Sequence, residues 1–211
     1  MTLPEATLFP QALLPLYIFE PRYRQMLAEA LQGHRMFSVA MQKTGSVRET
    51  PSPVAGVGLI RVCVGHADGT SHLVLQGIAR VELGPAVRYK PYRVHRVQPI
   101  QTPPCDNVKV DALMAKMREL LEERFTLGLP FLFPGIAPGT NNNPPPAEQI
   151  LKYLDSISDP ERAADWVSST VLPGGAERQT ILETVEVEAR LRRLIFFLLA
   201  EIRGKRKSGA S

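Results

Sequence analysis

Cysteine is scarce in this 211-residue chain: Cys63 and Cys105 are the only two. That excludes a disulfide framework and a multi-cysteine zinc site, and it fits a reducing cytoplasm. Long apolar runs are missing as well. The most lipid-like stretch, Leu194 to Ala200, falls far short of the roughly 20 residues that cross a bilayer. The N-terminus lacks the basic region, apolar core and small-residue cleavage site of a signal peptide, and Pro4, Pro10 and Pro15 interrupt its apolar stretch. A soluble cytoplasmic protein is expected. Nor does one sign of charge dominate: 25 Lys and Arg face 21 Asp and Glu, for a net +4. Acids accompany bases nearly everywhere except at Lys205-Arg206-Lys207, so a nucleic-acid surface is permitted but not indicated. The chain contains no Gly-x-x-x-x-Gly-Lys-[Ser/Thr] phosphate loop, and Ser168-Ser169 lacks a Gly-x-Ser-x-Gly setting. No complete active site emerges.

What is present is ample core material, 44% hydrophobic, punctuated by 15 glycines and 19 prolines. The N-terminal half reads as sheet. Leu8-Phe9-Pro10 and Leu13-Leu14-Pro15-Leu16 are apolar segments whose prolines confine them to strand ends, edges or extended loops that line the core. Glu20-Pro21 reads as an N-cap followed by proline at the first helical position. Tyr23, Met26, Leu27, Ala30 and Leu31 then predict a helix over 21–32 that ends at Gly33. Phe37, Val39 and Met41 alternate as a strand, and Thr44 to Pro53 reads as an exposed loop. Val57 to Val64 is apolar on both faces apart from Arg61, which predicts a strand covered on both sides. Asp68-Gly69 supplies a turn. Leu73, Leu75, Gly77, Ala79, Val81 and Leu83 fall on one face of the next strand, with Gly77 marking a bulge or a close backbone approach. A last strand is expected from Tyr92 to Val97.

After Pro103-Pro104 the period lengthens. Val110, Leu113, Met114, Met117, Leu120 and Leu121 predict a helix over 107–126. Ile150, Leu154 and Ile157 mark a second, and Ser158-Asp159-Pro160 caps a third that carries Ala163, Ala164 and Val167. Pro173-Gly174-Gly175 ends it. From Ala176 one further helix is expected, kinked near Thr184 to Val187, burying Ile181, Leu182, Val185, Leu191, Leu194, Ile195, Leu198 and Ile202.

Three segments give the chain a resemblance. The first is FPQALLPLYIFEPRYRQML from Phe9 to Leu27. The second joins GVGLIRV from Gly56 to DGTSHLVLQGIARVEL from Asp68, with its Leu75, Gly77 and Arg80 step. The third joins DPERAADWVSSTV from Asp159 to ERQTILETVEVEARLRRL from Glu177. In this order they resemble the N-terminal substrate-binding domain of Lon proteases, in the stand-alone form that bacteria encode separately from the protease. The resemblance implies an α+β fold: a PUA-like β pseudo-barrel with one helix over 1–103, followed by a helical bundle over 104–211. It further implies a role in binding polypeptide, within protein quality control, without the ATPase and Ser-Lys protease modules of Lon. No cofactor is implied.

Several residues could carry chemistry. His66, Asp68 and His72 flank one turn, and loop length decides whether the two rings meet: a two-residue turn at Asp68-Gly69 pairs His66 with Ser71 and puts His72 on the opposite face, whereas a three-residue turn sets His66 against His72. They read as polar hairpin-tip residues rather than metal ligands. Cys63, among apolar neighbours, reads as a buried, inert thiol. Arg22, Tyr23, Arg24 and Arg80 form a candidate basic and aromatic surface, against the reading that these arginines are rim charges or partners for Glu20 and Glu82. The connection from Gly128 to Pro146 is unusually apolar for a loop, with Leu129, Phe131, Leu132, Phe133 and Ile136. Either its aromatics fold back to cap the gap between barrel and bundle, or they form an exposed patch for polypeptide. The leading reading is a non-catalytic module for unfolded or exposed polypeptide segments, with a Lon protease or a second copy of itself as further partners and no membrane. The alternatives are an RNA-binding PUA-like module and an unrecognised hydrolase.

Overall fold

The computed structural model describes residues 1–46, 49–132 and 145–208. The chain divides into two compact units, Met1–Ile100 and Gln101–Ser211. Together they make a mixed α+β protein.

Unit 1 holds, among the described residues, a six-stranded mixed sheet and one helix. The strands are β1 (Thr2–Leu3), β2 (Leu13–Ile18), β3 (Met36–Met41), β4 (Val54–Gly65), β5 (Ser71–Arg88) and β6 (Val94–Pro99), and the helix is α1 (Pro21–Gln32). The order is β1-β3-β4-β5-β2. The 18-residue β5 is long enough to pair β2 along its first half and β6 along its second. Among the described strands only β1 and β3 pair in parallel. Helix α1 begins at the proline expected to open it, although Glu20 makes no side-chain cap and pairs with Arg22 instead. Its Tyr23, Met26 and Leu27 pack with Leu8, Ile18, Val39, Ile60, Leu73 and Leu75 in the main core of this unit.

Glycine decides how that core closes. Leu8 and Phe9 are fully buried, each contributing about 1.5–3 kcal/mol of apolar burial, because their backbone crosses the sheet at close range. A Cβ on Gly56 would lie 2.0 Å from the Leu8 carbonyl oxygen, and one on Gly77 would lie 1.9 Å from that of Phe9. Both alternatives foreseen at Gly77 are therefore realised, since the register slips by one residue immediately after it.

That slip corrects two sequence expectations. With Gly77 opposite Gly58 and Ala79 opposite Val57, Ile78 is an extra residue, and the two halves of β5 present opposite faces. Leu73 and Leu75 enter the main core, while Val81 and Leu83 join a smaller cluster with Ala40, Ala55 and Val57. They do not share one face. A second slip at Arg61, between Ile60 and Val62, turns Ile60 inward and Val62 outward. The far half of β4 is therefore not covered on both sides. The last strand, expected from Tyr92, begins at Val94.

Unit 2 contains α2 (Asn107–Thr126), α3 (Ala147–Asp155), α4 (Pro160–Val171), α5 (Gly175–Glu183) and α6 (Val187–Ser208). Asp106 and Asp159 cap α2 and α4 by accepting from the backbone N–H of Val108 and Glu161. The long C-terminal helix expected to kink is instead broken in two. Arg190, fully buried on α6, donates to the carbonyls of Thr184 and Val185 at 2.9 and 2.8 Å. Those carbonyls belong to the helix break, and the arginine satisfies them there.

Candidate functional site

The outward face of β2, β5 and β4 gathers several exposed apolar side chains. Period-2 alternation sends Leu14, Leu16 and Ile18 toward the core and Leu13, Pro15 and Tyr17 outward. Across the ladder, Tyr17 pairs with His72, which pairs with Val64; one row along, Pro15 pairs with Val74, which pairs with Val62. The bulge at Arg61 places both valines on this side. Tyr17, Phe19, Val62 and Val64 are 46%, 58%, 53% and 54% exposed. Tyr17 stacks on Phe19 and on His72, with centroids 5.8 and 4.6 Å apart. A shallow hollow of about 370 Å³ lies between Pro15, Tyr17, Val62, Val64, His72 and Val74. Isolated exposed apolar side chains are normal in soluble proteins, but a contiguous set is the signature of an interaction surface. Arg61 borders it, donating to Gln76 at 2.5 Å.

The hairpin that carries this face closes through the three-residue loop Ala67 to Gly69, with backbone bonds from His66 N–H to Thr70 and from Gly69 N–H to the His66 carbonyl. Asp68 accepts from the Thr70 backbone and hydroxyl, and these bonds hold its carboxyl below its usual range. Val64, rather than His66, sits directly opposite His72. His66 reaches it diagonally, its Nε2 lying 2.7 Å from His72 Nδ1.

A second hollow of about 370 Å³ is bounded by Met26, Phe37, Leu83, Tyr92, His95 and Val97. Of its polar groups, Tyr92 donates to Glu29 and His95 Nδ1 lies 2.9 Å from the Gly84 carbonyl, while His95 Nε2 is buried without a partner.

The sequence from 1 to 200 matches the family described as the ATP-dependent protease La (LON) substrate-binding domain. The chain belongs to that family. It is similar to the Lon protease of Dictyoglomus thermophilum, 26% identical over 205 residues covering 96% of this chain and 24% of that protein. Lon protease 2 of Bdellovibrio bacteriovorus is 27% identical over 218 residues, covering 98% of this chain and 25% of that protein. This LON domain thus spans about a quarter of the length of the curated proteases it matches. Two solved structures share its fold. The N-terminal domain of Mycobacterium avium complex Lon protease has a TM-score of 0.71 at 18% identity, covering 94% of this chain and 95% of that one. The Lon N-terminal domain protein from Xanthomonas campestris gives 0.60 at 17%, covering 93% and 96%.

Of the four residues read as a basic and aromatic surface of this LON domain, Arg22 and Tyr23 are in contact, the guanidinium lying over the ring 4.5 Å from its centroid. Tyr23 and Arg80 are each 4% exposed. The Tyr23 hydroxyl donates to the Thr2 carbonyl, and burial pushes its pKa upward. Arg22 forks onto Glu49 at 2.6 and 2.7 Å and also bonds Glu20, and its guanidinium holds the Glu49 carboxyl below its usual range. Arg24 is exposed but packs on the hairpin turn, where a Cβ on Gly69 would meet its guanidinium at 1.8 Å.

The apolar connection is described as far as Leu132; Phe133 and Ile136 lie outside the described residues. Its first residues are pinned to unit 2. The Leu129 N–H donates to the Arg124 carbonyl, and the Leu132 N–H to that of Thr170. Phe131 stacks on Phe125 at 4.6 Å and lies under the Arg124 guanidinium. Arg124, fully buried, is fixed by two 2.8 Å bonds to Glu201. Leu132 is 38% exposed. Cys63 is partly buried against the main core of unit 1.

The exposed sheet face is the element that pattern reading missed. Its signal was present in the alternation of Leu13, Pro15 and Tyr17, but the Arg61 bulge hid the contribution of the two valines.

Proposed function

We propose that this chain is a non-catalytic module that binds polypeptide segments exposing apolar side chains, and that the outward face of β2, β5 and β4 is where they dock. One observation carries the reading: Tyr17, Val62 and Val64 form a solvent-exposed apolar set on hydrogen-bonded strands, extended by Phe19, which stacks on Tyr17 just past the end of β2. Such a set is costly in water and useful against an unfolded chain. Membership of a family described as substrate-binding supports the polypeptide as occupant. The finer architecture goes with this reading, unit 1 as a PUA-like pseudo-barrel and unit 2 as a helical bundle, as does a cytoplasmic place in protein quality control. Among the described residues no helix is long and apolar enough to cross a membrane. Leu129, Phe131, Leu132, Phe133 and Ile136 of the apolar connection are proposed as a second contact surface, with Leu132 its most exposed described member.

The test is binding of a fluorescently labelled, permanently unfolded polypeptide to the full chain. Tyr17→Ser combined with Val64→Thr is expected to weaken it at least about tenfold, the loss of roughly 1.4 kcal/mol that removing one modest hot spot produces. Far-UV circular dichroism stays unchanged. Undiminished binding by the folded double variant removes the face from consideration. Leu132→Asp probes the second surface better than Phe131→Asp, because Phe131 is already packed on Phe125 and Arg124.

A further inference from the structure

We propose that His66 and His72 form a two-nitrogen chelating site for a divalent transition-metal ion on the β4–β5 hairpin. The two rings meet edge to face, 87° apart in plane, with His66 Nε2 and His72 Nδ1 2.7 Å from each other. Two imidazole nitrogens bound to one ion at about 2.0–2.1 Å stand about 2.9 Å apart for a right-angled pair and about 3.3 Å apart for a tetrahedral one. The nitrogens therefore need to open by a few tenths of an ångström, and each ring must turn so that its lone pair points at the ion instead of at the facing nitrogen.

The backbone at both residues is fixed, and the His72 ring is packed as well. His66 belongs to the closed turn, where its N–H donates to Thr70 and its carbonyl accepts from Gly69. Asp68 stiffens that turn through its two bonds to Thr70. His72 lies in the ladder between Tyr17 and Val64, with its ring stacked on Tyr17 at 4.6 Å. In the metal-free pair one facing nitrogen donates its proton to the other. Chelation needs both lone pairs, so the donating ring shifts that proton to its far nitrogen, and a neutral pair releases none. Both residues are exposed, so the ion enters directly from solvent.

The donor set decides which ion. Among the described residues no group of three or more His, Cys, Asp or Glu side chains is placed to hold a metal, so water completes the coordination. Two neutral imidazoles suit Cu²⁺ first, then Ni²⁺ and Zn²⁺. Mg²⁺ and Ca²⁺ need oxygen ligands and are refused.

Calorimetric titration of the full chain with Cu²⁺ alone, in a non-coordinating buffer, tests the site. One saturable ion per chain is expected. His66→Gln and His72→Gln should each weaken it at least about tenfold, the loss that even an outer-sphere partner of a ligand produces. His34→Gln should leave it unchanged, and Mg²⁺ should give no saturable heat. Absence of saturable Cu²⁺ binding, or an isotherm that neither substitution moves, overturns the proposal.

Discussion

Arg190 on α6 donates to Asp165 on α4 at 3.1 Å, with the two side chains 0% and 2% exposed. The same guanidinium reaches Glu161 and closes the carbonyls at the α5–α6 break, so one residue joins two helices and permits a third to end. Removing one member of a buried pair leaves the other charge poorly compensated, at a cost of about 3–5 kcal/mol. Arg190→Met should therefore lower the urea midpoint of unit 2 sharply. The single tryptophan, Trp166, lies on α4 beside Asp165 and reports this by fluorescence. A midpoint within error of the wild type would contradict the role given to Arg190.

Gly56→Ala and Gly77→Ala each force a methyl group into the carbonyl of the crossing Leu8-Phe9 segment. Backbone cannot yield as a flexible side chain does, so each substitution should destabilise unit 1 by at least the roughly 1–3 kcal/mol typical of overpacking. Gly204→Ala meets nothing within 4 Å on helix α6. It should raise stability by up to about 1 kcal/mol through helix propensity. Thermal melts of the three variants should fall on opposite sides of the wild type.

The Arg22–Glu49 fork sets a pH dependence. Its hydrogen bonds hold Glu49 below the ordinary value of 4.5, so the folded state gains stability that is complete above that value. The gain is lost as pH falls through the lowered folded value. With side chains 34% and 43% exposed, the pair contributes less than about 1 kcal/mol after solvent screening. Glu49→Gln should melt slightly below the wild type at neutral pH, and the gap should close in acid. A gap that widens on acidification would reverse the assignment.

Much of this fold could be read along the chain because local chemistry specifies it. Pro21 opens α1, Asp159-Pro160 opens α4, and the three-and-four spacing of Val110 to Leu121 defines α2. What could not be read depends on partners distant in sequence. The bulges at Arg61 and Ile78 exist only as mismatches between β4 and β5, and each flips every apolar residue beyond it to the other face. Val62 and Val64 were thus expected to be covered and are instead the exposed half of the candidate surface. The α5–α6 break is held partly by contacts of Arg190 to Asp165 and Glu161, which lie 25 and 29 positions away. No helical periodicity reveals them. The resemblance to Lon substrate-binding domains, carried by the three quoted segments, identified the family where residue chemistry alone left several functions open.

The central claim is that polypeptide docks on the outward face of β2, β5 and β4. Backbone amide NMR of the full chain, titrated with an unlabelled unfolded polypeptide, tests it most directly. The account predicts shifts concentrated at Leu13, Tyr17, Phe19, Val62, Val64, His72 and Val74, with the core-facing Leu73 and Leu75 moving less. Shifts confined to the neighbourhood of Arg22 and Arg24, or no shifts at saturating polypeptide, would contradict it.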